Sequence, residues 1–204
     1  NEQVNSLVLI DSPDNQGFNQ AAQSANIPLK NAALQVANTL LWPGKVTDLA
    51  EISQRMIHQD EVDESLSDEA FIADLGERVC KKGATMDPAY ACEVIRRNIK
   101  VQTAYQLNTY KIQPLPAPEK IKTLYFRNKN GYFLGDLKNN FQTRSTLFDL
   151  DHINYWQEWQ QALPALQMID LNVANHMTIL FEAEAKEVVQ RYCEEIYIAE
   201  EIVQ

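Results

Sequence analysis

The run Leu166-Gln167-Met168-Ile169-Asp170-Leu171-Asn172-Val173-Ala174-Asn175-His176-Met177-Thr178-Ile179-Leu180 constrains this chain more than any other. An apolar segment gives way to a short polar break carrying one His, and a helical pattern follows. Apolar residues then fall at Ala185, Val188, Val189, Tyr192, Cys193, Ile196, Ala199, Ile202 and Val203. Those are the i, i+3, i+4, i+7 steps of one helix face. The spacing predicts a buried strand, a tight turn and an amphipathic helix. A His at a strand-to-helix turn can present its imidazole at a sheet edge while its backbone stays fixed. That position suits a general base, and equally a capping or surface His.

The rest of the chain alternates strand and helix around a long helical stretch. Ser6 to Ile10 is a short apolar run ending in Asp11-Ser12-Pro13-Asp14, the pattern of a strand buried on both faces of a parallel sheet. Helices are expected over Leu29 to Leu41, over Val46 to His58, from Ser67 to about Gly83, and from Asp87-Pro88 to about Tyr110. Pro114-Leu115-Pro116-Ala117-Pro118 reads as a stiff linker. Ile121 to Phe126 reads as a second strand, and the polar stretch from Arg127 to Arg144 as a loop. Asp149 or Asp151 is expected to cap a helix holding Ile153, Trp156, Trp159 and Leu163. The order is strand, four-helix insertion, strand, helix, strand, helix, which predicts an α/β fold with a parallel sheet.

Composition narrows the functions. The net charge of -10 argues against nucleic acid, because phosphate binding needs clustered Lys and Arg. No apolar run approaches the roughly 20 residues a membrane span needs. Cys80, Cys92 and Cys193 show no CxxC spacing, so reduced thiols and a cytoplasmic location are expected. No His, Cys and Asp cluster has metal-ligand spacing. Acids far outnumber bases between Asp48 and Glu77, which reads as a solvated helix face, with an acidic docking surface as the alternative.

Taken in order, these segments resemble the C-terminal two-thirds of a thioesterase domain of the α/β-hydrolase fold, as found at the end of polyketide synthases and nonribosomal peptide synthetases. Leu7-Val8-Leu9-Ile10-Asp11 looks like the strand that ends in the triad acid. The helices from about Leu29 to Tyr110 sit where that family inserts its lid. Pro118 through Arg127 looks like a further family strand. Tyr155-Trp156 and Asn175-His176-Met177-Thr178-Ile179-Leu180 look like its Trp-bearing helix and its His turn. The resemblance covers nearly the whole chain.

The resemblance implies a partial α/β-hydrolase with a large helical lid. Residues 1–27 would carry the triad-acid strand and its loop, 28–113 the lid, and 114–204 the C-terminal part of the core. It implies Asp11 as acid and His176 as base, with Asp136, and more remotely Asp149, as rival acids. Trp42 and Tyr105 would face the substrate channel. His152 and His58 read as cap or surface residues. The implied parent releases an acyl chain from the phosphopantetheine arm of an acyl or peptidyl carrier protein, by hydrolysis or cyclisation, with no dissociable cofactor. The alternatives are a carboxylic esterase using Asp136, and a non-catalytic helical interaction module.

Two departures stand out. Ala174 replaces the family's Gly before Asn175-His176. No G-x-S-x-G elbow surrounds any Ser in the chain, although that motif carries the family's nucleophile. The expectation is therefore a fragment whose elbow lies upstream, inactive alone. Its first strand would have an open edge through which copies associate.

Overall fold

The computed structural model describes residues 4–14, 28–42, 48–104, 114–145, 151 and 154–201, with side chains for all but 102–104 and 197–201. The chain divides into two compact units. One comprises Asn1–Gln23, Leu107–Gly135 and Asp149–Gln204; the other comprises Ser24–Gln106 and Asp136–Phe148. Among the described residues there are three strands and seven α-helices, an α/β composition.

The first unit is built on a parallel three-stranded sheet in the order β1 (Ser6–Ile10), β2 (Lys122–Asn128), β3 (Leu166–Leu171). Ile10 faces Phe126 in register, and Phe126 faces Ile169. Only the central strand β2 is buried along most of its length. β1 is half-buried throughout, and β3 alternates, with Gln167 and Asp170 exposed. The expected two-sided burial of the first apolar run, and the expected burial of the third, are thus met only in part. Both are outer strands among the described residues, and an outer strand has a neighbour on one side alone. The last helix, Ala183–Glu201, lays Ala185, Val188, Val189, Tyr192 and Ile196 against Phe126 and Ile169. These are the residues its 3.6-residue period singles out.

The second unit is helical. It contains α1 (Leu29–Leu41), α2 (Leu49–Arg55), α3 (Asp68–Lys81), α4 (Pro88–Ala104) and the short α5 (Lys138–Phe141). Its core gathers Leu34, Val36, Phe71, Leu75, Val79 and Ile95. The Ser67 hydroxyl accepts from the Ala70 N–H, and the Asp87 carboxylate accepts from the Tyr90 N–H, so both predicted helix starts are capped. The acidic stretch is partly neutralised inside this unit by Arg78 on Asp74, Lys82 on Glu61, Arg96 on Glu69 and Arg144 on Asp60.

Several expectations are corrected. The helix expected over Val46 to His58 spans only Leu49–Arg55, because Met56 leaves it in extended conformation and Met56 and Ile57 are buried in the core. The buried Asn38 side chain holds Ile57 there, accepting from its N–H at 2.7 Å and donating to its C=O at 2.8 Å. The segment from Arg127 to Arg144 is not one loop. β2 runs on to Asn128, and a turn at Gly135–Leu137 leads into α5. Buried Leu134, Leu137 and Phe141 fall at helical spacing, a signal diluted by the surrounding Asn and Lys. The helix expected from Asp149 or Asp151 begins only at Gln157; it is α6, Gln157–Ala162. Asp14 caps it, accepting from the Glu158 N–H at 2.8 Å, while Asp151 instead accepts from the N–H groups of Leu134 and Gly135. Asp149 and Ile153 lie outside the described residues, as do His152 and Tyr105. The last helix, α7, spans Ala183–Glu201.

Candidate active site

The site is assembled at one end of the sheet, where β1 and β3 both finish. The β1–β2 ladder closes with the Asp11 N–H donating to the Phe126 carbonyl at 2.6 Å. Asp11 then turns sharply, with φ at 43°, in the left-handed region that Asp tolerates better than most side chains. The turn aims its fully buried carboxylate back across the end of β2. There Oδ1 accepts from the Asn128 N–H at 3.0 Å and from the Tyr155 hydroxyl at 2.8 Å.

The other carboxylate oxygen meets the imidazole. Asp11 Oδ2 lies 3.0 Å from His176 Nδ1. A carboxylate in this setting accepts, so Nδ1 carries the proton and Nε2 is the nitrogen left to take one up. His176 opens a one-turn 3-10 helix, His176–Thr178, after β3. Asn175 caps it by accepting from the Thr178 N–H at 3.1 Å. Glu182 locks the same turn to the start of α7, accepting from the Ala174 N–H at 3.0 Å and the Thr178 hydroxyl at 2.8 Å. The His176 backbone N–H is bound as well, to the carbonyls of Tyr132 and Phe133. The Phe133 ring stacks on the imidazole at 4.4 Å and 12°. About a quarter of the His176 side chain remains exposed, so the ring is fixed on one face and still open to solvent.

The loop behind Asp11 is fastened by two aromatic side chains. The Tyr125 hydroxyl and the Trp159 indole N–H both donate to the Ser12 carbonyl, at 2.7 and 3.0 Å. Burial, and then the negative charge of Asp11, push the hydroxyls of Tyr125 and Tyr155 far above the ordinary tyrosine range. Both therefore stay protonated donors.

The other sequence candidates are placed as follows. Asp136 is exposed in the Gly135–Leu137 turn, while the carboxylate bonded to His176 is that of Asp11. His58 caps the short turn Gln59–Glu61 within the helical unit. Trp42 ends α1 and packs against Phe141 at 6.2 Å. The Ser12 hydroxyl donates to the Ile10 carbonyl. Cys80, Cys92 and Cys193 are free thiols. No helix among the described residues is long and apolar enough to cross a membrane.

Sequence reasoning missed Tyr155, Asn128 and Phe133 as parts of the site. Asn128 acts through its backbone, which carries no side-chain signal. Tyr155 reaches Asp11 across 144 positions, and Phe133 stacks on His176 from the far side of β3 in the sequence, so neither contact has a local spacing.

What this arrangement can do chemically is orient an imidazole and stabilise its protonated form, leaving Nε2 available to a hydroxyl or a water. No protein-family model matches the chain. It is 32% identical over 194 residues to the polyketide synthase PksR of Bacillus subtilis (strain 168). The alignment takes in 95% of this chain and 7% of that protein. The chain is thus homologous to one segment of a polyketide synthase and spans a small fraction of that relative's length.

Proposed function

We propose that this chain is the C-terminal part of a thioesterase domain that releases acyl chains in a polyketide synthase assembly. The single observation carrying the reading is the Asp11–His176 pair: a buried carboxylate that also accepts from the Asn128 N–H and the Tyr155 hydroxyl, 3.0 Å from an imidazole whose far nitrogen is available. Both residues follow the C-terminal ends of parallel strands, where α/β sheets place ligands. The relationship to a segment of a polyketide synthase supports the same reading. On this reading the sheet belongs to an α/β-hydrolase core and the helical unit is its lid insertion.

In the proposed reaction the nucleophile is a Ser in an elbow upstream of this chain. His176 Nε2 takes the Ser proton as the oxygen attacks the thioester carbonyl, and Asp11 stabilises the resulting imidazolium through Nδ1–H. His176 returns the proton to the departing thiol of a phosphopantetheine arm on a carrier domain. Water or a hydroxyl of the acyl chain then attacks the acyl-Ser, with His176 again as base. No dissociable cofactor enters.

The test compares this chain with a longer polypeptide that adds the upstream segment. Both are assayed for hydrolysis of a short acyl thioester. The reading expects turnover from the longer polypeptide and none above background from this chain, since it assigns the nucleophilic Ser and the adjoining oxyanion N–H to the added segment. Equal turnover by the two would overturn it and direct the search for a nucleophile to Ser12.

A further inference from the structure

We propose that Tyr155 is a positioning residue for the acid–base pair, its buried hydroxyl fixing the Asp11 carboxylate so that Oδ2 faces His176 Nδ1. The inference rests on the reading of Asp11 and His176 as triad acid and base. It adds a third side chain to them.

A carboxylate turns about its last torsion in a broad, roughly two-fold well. One donor to Oδ1, the Asn128 N–H, anchors it at a single point. A second donor on the same oxygen, arriving from a different element, fixes the plane. The Tyr155 hydroxyl does this at 2.8 Å. Hydrogen bonds to a charged acceptor are among the stronger ones, and this one is made where water does not compete.

Tyr155 is itself well held. It is fully buried, and its carbonyl accepts from the Asp14 N–H at 2.5 Å. Its ring meets Phe133 edge-on at 6.2 Å and 84°, and Phe133 in turn stacks on the imidazole. Acid and base are therefore set by one continuous train of contacts: Asp11, Tyr155, Phe133, His176. The raised hydroxyl of Tyr155, caused by burial and then by the Asp11 charge, keeps it a donor at any pH the site would work at.

Tyr125 supplies the comparison. It is equally buried and also holds the loop after β1, but it donates to the Ser12 carbonyl and not to the carboxylate. A purely structural role would be shared by the two tyrosines. A positioning role belongs to Tyr155 alone.

The experiment reads the His176 Nδ1–H proton by 15N-edited NMR in the full chain, for wild type, Tyr155→Phe and Tyr125→Phe. Tyr155→Phe is expected to broaden or erase that resonance while circular dichroism stays unchanged. Tyr125→Phe is expected to leave it sharp. An unaltered Nδ1–H signal in folded Tyr155→Phe, or equal loss in both variants, would overturn the inference. A second measurement on wild type does not depend on any variant folding. The Tyr155 hydroxyl and Asn128 N–H protons share one oxygen, so a cross-relaxation peak between them is expected, and its absence would overturn the inference. In the longer polypeptide, Tyr155→Phe should lower kcat about tenfold with KM changed less than about twofold, the pattern of an interaction acting on the reacting groups and not on binding. The NMR readings need no turnover, so a failure of the thioesterase reading leaves them standing as a separate result.

Discussion

Asp11 Oδ2 lies 3.0 Å from His176 Nδ1, although 165 positions separate the two residues in the chain. The parallel pairing of β1 with β2 and of β2 with β3 brings the strand ends side by side, and the two turns that follow them do the rest. Neither residue depends on its partner for its backbone conformation. His176 is held by Asn175, Glu182 and the carbonyls of Tyr132 and Phe133. Asp11 is held by Phe126, Asn128 and Tyr155. The pair is preorganised.

Asp11→Asn and Asp11→Ala should separate fold from chemistry. An Asn can still accept from the Asn128 N–H and the Tyr155 hydroxyl, so the fold is kept. Its amide, however, would donate toward Nδ1 and favour the wrong imidazole tautomer. In the longer polypeptide we expect activity to fall about 10⁴-fold. Ala leaves two buried donors without an acceptor, at about 1–3 kcal/mol each. Denaturant titration should show Asp11→Ala clearly destabilised and Asp11→Asn near wild type. The reverse order would contradict the hydrogen-bond assignment.

Trp159→Phe removes one of the two donors to the Ser12 carbonyl and leaves Tyr125 in place. The carbonyl remains satisfied, so the loss should be modest, about 0.5–1.5 kcal/mol. The double variant with Tyr125→Phe strips the carbonyl bare and should cost more than the two single changes summed. Thermal or urea unfolding of the four proteins gives the cycle, and simple additivity would show that the two side chains do not share this acceptor.

Gly76→Ala probes the helical unit independently. A methyl at Gly76 would collide with Cys92 Sγ and stand 2.9 Å from the Pro88 carbonyl oxygen. The backbone carbonyl cannot swing aside as a flexible side chain can. α3 and α4 must therefore separate, at about 1–3 kcal/mol, despite the higher helix propensity of Ala. A stabilised Gly76→Ala protein would show that the two helices pack less closely than here.

Tyr125 and Tyr155 set an alkaline limit. Their folded-state pKa values are raised, by burial and then by Asp11, above the ordinary value of 10.0. Below about pH 10 both states are protonated and no stability is lost. Above it the unfolded chain releases protons that the folded chain keeps, so stability falls as pH rises. Tyrosinate absorbance from these two residues should appear only together with loss of circular dichroism. Removing either hydroxyl should shift that transition to higher pH. Ionisation of both within the folded state near pH 10 would contradict their burial.

The fold was legible where local pattern and tertiary outcome agree. Leu29–Leu41 shows its apolar face and forms a helix over those residues. The helix starts at Ser67 and at Asp87-Pro88 were readable because a capping Ser and a Pro in the first turn are local signals. Legibility failed where a distant side chain decides. Met56 and Ile57 leave the helix because Asn38, on α1, holds the Ile57 backbone. The start of α6 is set by Asp14, 144 positions away, and not by an acid next to it. In the candidate site, Asp11 and His176 could be picked out as chemistry-bearing residues at strand ends. The groups that orient them could not, since one is a backbone N–H and the others are aromatic rings with no spacing to mark them.

The measurement that bears most directly on the central claim uses His176→Ala in the longer polypeptide, assayed beside wild type for hydrolysis of an acyl thioester and for accumulation of an acyl-enzyme. The account predicts that turnover falls by about 10⁴–10⁶ and that the acyl-enzyme no longer forms at a measurable rate, with the fold intact by circular dichroism. Turnover by His176→Ala at the wild-type rate would contradict it, because the imidazole that Asp11 holds would then take no part in the reaction.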